Sequence, residues 1–214
     1  MKTQQAHVVL LDNHDSFVYN LVDAFAVAGY HCTVLRNSVT VTEVLDLEPA
    51  LICLSPGPGH PREAGCMMDL IGASIGTIPI LGICLGFQAL LEHHGGEVRP
   101  CGPVHGTTDL MTLTNPDHPL FAGLSIDATP NNNFHGTQVP IARYHSLGCT
   151  DIPPNMVSLG TCDSAIGPVT MAAETHDGEE QTTSIGLQFH PESVLSPSGP
   201  IILERCVDKL LANK

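Results

Sequence analysis

Four short runs of β-branched and aliphatic residues recur in the first half of the chain, at 8–11, 32–35, 51–54 and 78–83, each bounded by Gly, Pro, Asn or Asp. Runs this short and this uniformly apolar suit strands buried on both faces. Between them lie stretches with helical spacing: 17–28, where Phe17, Leu21, Ala24, Phe25 and Ala28 recur at three- to four-residue intervals, and 67–75. Strand, helix, strand, helix implies right-handed crossovers, and a crossover makes the joined strands parallel. The expectation is an α/β fold of three layers, α/β/α, with a mostly parallel central sheet covered on both faces.

The second half has a different pattern. Residues 98–113, 139–146, 157–162, 168–174 and 184–189 are strand-like with little helix between them, so an antiparallel extension of the same sheet is expected. An amphipathic helix over 201–211 closes the chain. Residues 115–140, with Asn131, Asn132 and Asn133 in succession, and 176–183, around Glu179, are polar and turn-rich and are expected as surface loops. A chain of 214 residues with 43% hydrophobic composition can remove roughly 70% of its unfolded surface from water, so one domain spanning 1–214 is expected without a disulfide or metal staple.

Eight Lys+Arg stand against 22 Asp+Glu, a net charge of −14, and the lysines are only Lys2, Lys209 and Lys214. Such a chain has no basic patch to displace counterions from a phosphate backbone, which argues against nucleic acid as a ligand. No stretch approaches the ~20 apolar residues of a membrane span, and the apolar run at 8–11 is too short for a signal-peptide core, so a cytoplasmic protein is expected. In that compartment the eight cysteines, at 32, 53, 66, 84, 101, 149, 162 and 206, should be thiols. None is spaced as Cys-x-x-Cys, so neither zinc nor redox exchange is indicated, and taken singly each is a small core hydrophobe.

One cysteine has a context of its own. The apolar run Pro79-Ile80-Leu81 ends in Gly82-Ile83-Cys84-Leu85-Gly86 and continues into the helical Phe87-Gln88-Ala89-Leu90-Leu91. This is the strand-to-helix elbow of an activated nucleophile, with sulfur in place of oxygen. Gly82 and Gly86 stand where a side chain would collide with the neighbouring strand and helix. The unpaired N–H groups at the helix start favour thiolate over thiol. Without further residues the alternative is a buried cysteine in a glycine-rich turn.

A cysteine nucleophile needs a base, and the base an orienter. Of the twelve histidines, His190 lies in Gly186-Leu187-Gln188-Phe189-His190-Pro191-Glu192-Ser193, where a strand ends at a proline. In extended chain, positions i and i+2 point the same way, so Glu192 can hold the His190 imidazole while its other nitrogen reaches Cys84. By itself the tripeptide could be an exposed turn. A third segment, Ser55-Pro56-Gly57-Pro58-Gly59-His60, lacks the third glycine of a dinucleotide loop, where Arg62 stands, and the lysine of a phosphate loop. Its stiff backbone leaves N–H groups free to face an anion, as an oxyanion hole requires, though a plain turn would look the same.

These three segments, in this order and at this spacing, resemble the triad-type (class I) glutamine amidotransferases, whose fold is flavodoxin-like. The opening Asp12-Asn13-His14-Asp15-Ser16-Phe17-Val18-Tyr19-Asn20-Leu21 and the later Arg143-Tyr144-His145-Ser146-Leu147 are similar to the chorismate-pathway branch. That branch holds the small subunits of anthranilate synthase and, as siblings, the amidotransferases of 4-amino-4-deoxychorismate synthase, with amphibolic subunits serving both pathways. The look of the 12–21 and 104–108 stretches favours anthranilate, within tryptophan biosynthesis. The resemblance runs from about Val8 to the C-terminal helix.

The resemblance implies that Cys84 attacks the side-chain amide of L-glutamine, His190 passes the proton to ammonia and Glu192 orients His190. It implies that the N–H groups of Leu85 and Gly57 hold the oxyanion, and that Gln88, Ser146 and Leu147 grip the substrate, with Gly59 completing the loop. No metal and no cofactor are implied. The ammonia would pass to a separate chorismate-binding synthase subunit, the chain itself leaving no room for one. Phe87 departs from the His or Tyr usual in relatives, and Thr107 from the common Lys, so a partner contact made by that lysine is not carried over. The amidotransferases of GMP synthetase and carbamoyl-phosphate synthetase fit less well at 12–21 and 143–147, and a catalytically silent partner-binding subunit is at odds with intact Cys84, His190 and Glu192.

Overall fold

The computed structural model describes residues 6–176 and 183–212. Nine strands form one sheet in the order β2-β1-β3-β4-β11-β10-β9-β6-β7, and β5 pairs with β8 in a small second sheet. The strands are β1 (His7–Asp12), β2 (His31–Arg36), β3 (Leu51–Leu54), β4 (Ile80–Ile83), β5 (Arg99–Pro100), β6 (Thr107–Leu113), β7 (Gln138–Arg143), β8 (Leu147–Gly148), β9 (Met156–Cys162), β10 (Val169–Thr175) and β11 (Ser184–Leu187). The helices are α1 (Val18–Val27), α2 (Val41–Leu45), α3 (Met67–Ser74), α4 (Leu85–His93) and α5 (Gly199–Ala212).

The uniformly apolar strands do split their residues between two cores. In β1, Val8 and Leu10 pack with Leu21 and Phe25 of α1 and with Leu203 and Val207 of α5. Val9 and Leu11 pack on the opposite face with Val44 of α2, Met67 and Leu70 of α3, and Leu90 of α4. In β3, Leu51 and Cys53 join the first cluster, Ile52 and Leu54 the second. Alternation along a strand thus buries both faces, giving the three layers expected. Among the described residues no helix is long and apolar enough to cross a membrane.

Four differences from the sequence reading have physical causes. Residues 184–189 group by composition with the antiparallel half, yet β11 runs parallel to β4, with Leu187 opposite Ile83. Residues 78–83 begin their strand only at Ile80, because Ile78 still closes the end of α3 through its N–H to the Ser74 carbonyl and Pro79 has no N–H to give. The stretch 98–113 is broken by Gly102-Pro103 into β5 and β6. Helix α2 has too few residues to show a period, and its signal is a capping box, in which Thr40 Oγ1 accepts from the Glu43 N–H and the Glu43 carboxylate accepts from the Thr40 N–H. The loop expected over 176–183 lies outside the described residues except for His176 and Thr183, and Glu179 with it.

Candidate active site

The site forms where β4 and β11 end side by side. Cys84 follows β4 with φ 50 and ψ −101 and caps the start of α4, a strained conformation for a residue with a side chain. Its N–H donates to the Leu187 carbonyl at 2.7 Å, stitching the elbow to β11. A Cβ on Gly82 would lie 2.6 Å from the Gly86 carbonyl oxygen, and one on Gly86 would lie 2.3 Å from the Leu54 carbonyl oxygen. Strand, elbow and helix close on each other only because both flanking residues lack side chains. Phe87 is fully buried against Gly186, where an added Cβ would fall 1.9 Å from the ring.

His190 and Glu192 come together as expected, but through a turn rather than an extended strand, marked by the Ser193 N–H to the His190 carbonyl at 3.2 Å. His190 Nδ1–H donates to Glu192 Oε1 at 2.6 Å, both side chains being buried. Glu192 Oε2, also buried, has no hydrogen-bond partner among the described residues, so this carboxylate is committed to the histidine. Cys84 is also close enough to the imidazole to act on its titration. Burial is the largest influence on His190 and pulls its pKa down, yet the hydrogen bonds and charges of Cys84 and Glu192 together hold it up at about 10. At neutral pH the His190 ring is therefore an imidazolium.

The 12–17 segment supplies a wall. Asp12 Oδ1 accepts the Asp15 N–H, and Asp15 Oδ2 accepts the Phe17 N–H, which turns the chain so that the Phe17 ring meets His190 edge-on at 5.8 Å. Tyr144 meets the same imidazole at 5.0 Å. Asp15 faces this histidine, but burial outweighs the attraction and raises its carboxyl pKa. Asn13 anchors the proline–glycine loop: its N–H donates to Ser55 Oγ at 2.8 Å and its Nδ2–H to the Ser55 carbonyl at 3.0 Å.

A cavity of about 150 Å³ opens onto Cys84, lined by Gly57, Pro58, Gly59, Gln88 and residues 144–147. Every residue singled out for substrate contact therefore lines it except Leu85, whose side chain packs in the core. Leu85 opens α4, so its N–H is among the first four, which no carbonyl within the helix can reach. Tyr144 and His145, recognised only as parts of a motif, line the cavity too. A larger apolar groove of about 380 Å³ runs between α1 and α5 and contains neither a cysteine nor a histidine.

Behind the cavity lies an amide network that sequence reasoning missed. His145 Nδ1–H donates to the Leu147 carbonyl at 2.9 Å, and Arg143 Nε–H donates to His145 Nε2 at 3.2 Å. Burial, and then the Arg143 charge, push His145 down to about 4, consistent with a neutral ring. Gln88 Nε2–H donates to the same Leu147 carbonyl at 3.0 Å and to Gln188 Oε1 at 3.2 Å. Gln188 Nε2–H in turn approaches Cys84 Sγ at 3.6 Å. The other seven cysteines are free thiols whose pKa burial raises, and Cys32 and Cys66 among them are only half-buried rather than core residues.

The chain resembles known proteins along nearly its whole length. The family model described as glutamine amidotransferase class-I matches residues 9–210. The chain is 65% identical over 210 residues to anthranilate synthase component 2 of Corynebacterium glutamicum, covering 97% of this chain and 99% of that protein. It is 36% identical to anthranilate synthase component 2 of Vibrio parahaemolyticus, with 95% of each covered. A glutamine amidotransferase of Thermotoga maritima shares the fold, with a TM-score of 0.69 at 15% identity over 98% of this chain and 99% of that one. A family model matched over nearly the whole chain, with relatives 65% and 36% identical over almost their full lengths, places the chain in the class-I glutamine amidotransferase family, within its anthranilate synthase component 2 branch.

Proposed function

We propose that this chain is the glutamine-hydrolysing subunit of anthranilate synthase, releasing ammonia for a separate synthase subunit that binds chorismate. The observation that carries the reading is Cys84 on a strained elbow at a small polar cavity, beside a His190 that Glu192 holds from behind. The branch is supported by relatives whose names include component 2, at 65% identity for one of them.

In this mechanism Cys84 Sγ attacks the side-chain carbonyl carbon of glutamine, and the N–H groups of Leu85 and Gly57 take the developing oxyanion. His190 gives its proton to the departing nitrogen, releasing ammonia and leaving a glutamyl thioester. Water, deprotonated by His190, then attacks the thioester and frees glutamate and the thiolate. Glu192 keeps Nδ1 occupied throughout, so that Nε2 does the proton transfer. Both amide hydrogens of Gln88 are already spent on Leu147 and Gln188, so Oε1 is what Gln88 offers the substrate, an acceptor suited to an α-ammonium. Ser146 and Leu147 form the facing wall, with Gly59 at the loop end. The steps use side chains and backbone alone, with no metal or cofactor, and a thiolate nucleophile suits the reducing cytoplasm.

Cys84→Ser should abolish glutamine-dependent anthranilate formation by the reconstituted complex while ammonium at high pH still supports it. Fluorescence of the product from chorismate reads both. Retention of the glutaminase rate by the substituted chain would overturn the assignment of the nucleophile.

A further inference from the structure

We propose that Gln188 is a catalytic residue that donates a hydrogen bond to the nucleophilic sulfur, aimed there by a chain of amides that begins at the Leu147 carbonyl. The proposal rests on the reading of Cys84 as the nucleophile. Gln188 is fully buried, and it lies beyond the end of β11, whose last residue, Leu187, is paired with Ile83 and accepts the Cys84 N–H.

An amide in a protein interior can be turned either way, so what matters is what fixes it. The Leu147 carbonyl has only lone pairs to offer, so Gln88 must present Nε2–H to it, at 3.0 Å. The second hydrogen of that nitrogen then points at Gln188, which must answer with Oε1, at 3.2 Å. With its oxygen committed, Gln188 can only turn Nε2–H toward Cys84 Sγ, 3.6 Å away. Reversing either amide would set donor against donor or a carbonyl oxygen against a carbonyl oxygen. The Leu147 carbonyl is held in its turn by His145 Nδ1–H.

An amide donor has a property that His190 lacks: it does not titrate. His190 loses a proton to the departing nitrogen and regains one from water in each turnover, so what it offers the sulfur changes from step to step. Gln188 supplies a donor at every stage without exchanging a proton. Hydrogen bonds to charged groups are worth about one to two pH units of differential stabilisation, and the 3.6 Å approach places this one toward the lower end. Among the described residues the titratable groups around the sulfur are His190, with Glu192 and Asp15 behind it, and Tyr144 and His145 on the cavity wall.

The test is the pH dependence of alkylation of Cys84 by iodoacetamide, followed on the Cys84 peptide by mass spectrometry in the full chain. Gln188→Met keeps the volume and removes the donor. Its alkylation midpoint should rise by about one pH unit, and kcat should fall about tenfold with KM for glutamine nearly unchanged. Gln88→Met leaves Gln188 in place but frees it to turn, so the midpoint should rise there too, by less. An unmoved midpoint in a Gln188→Met chain with the wild-type circular dichroism spectrum overturns the proposal, as does a rise in KM alone. If Gln188→Met does not fold, the Gln88→Met midpoint decides. The alkylation curve reports on the sulfur whether or not Cys84 hydrolyses glutamine, so this failure is separable from retained glutaminase activity in Cys84→Ser.

Discussion

His145 lines the cavity with both ring nitrogens committed, one to the Leu147 carbonyl and the other to Arg143. Unfolding returns it from about 4 to its ordinary value of 6.5, so between those limits the unfolded chain binds a proton that the folded chain refuses. Stability therefore falls as pH drops through that window and is untouched by this group above it. The slope is worth up to about 3 kcal/mol, and His145→Asn, whose amide N–H can still meet the Leu147 carbonyl, should flatten it. Urea midpoints from about pH 7 to about pH 4 would show this, an undiminished slope in the variant counting against it. His190 has the opposite sign: its raised pKa stabilises the folded chain fully below 6.5, and that contribution is lost as pH rises through about 10. Cys84, His190 and Glu192 could be read from sequence because their chemistry demands glycines, a proline and fixed spacing around them. Gln188 could not, because a glutamine beyond a strand end has no signature until strand register sets it against the sulfur.

The elements meet at glycines, and the atom each glycine faces decides what a substitution costs. Gly86→Ala would drive a methyl group toward the Leu54 carbonyl, backbone that moves only if α4 parts from β3. A loss of at least about 3 kcal/mol is expected, with no rescue by trimming any side chain. Gly186→Ala meets the Phe87 ring instead, so Gly186→Ala combined with Phe87→Leu should be more stable than the sum of the single losses by about 1 kcal/mol or more. Thermal melts of the five chains, wild type included, give both results, and strict additivity for the second pair would contradict the packing described. The same contact bears on what could be read at this scale. The seating of the Phe87 ring on Gly186 appears only once β11 is known to lie beside β4. Composition alone assigns 184–187 to a strand but says nothing of direction, because a short buried strand looks the same in parallel and antiparallel neighbourhoods.

For the molecule as a whole, the order of strands is the decisive fact. β4 and β11 stand fourth and fifth among nine, so the residues at their ends are flanked on one side by the parallel half and on the other by the antiparallel half. The sheet's outermost strands are β2 and β7. Hydrogen–deuterium exchange should find the amides of 81–84 and 185–187 among the slowest, opening with the free energy of global unfolding, while β2 and the outer edge of β7 exchange sooner. Early exchange at Leu81 or Ile185 would contradict this. Cys84 and the end of β11 that it is hydrogen-bonded to cannot part without opening the centre of the sheet, so heat inactivation and unfolding should coincide. Any movement that admits glutamine and lets ammonia leave then falls to the proline–glycine loop at 57–59, above a floor and a Leu147 wall that stay still.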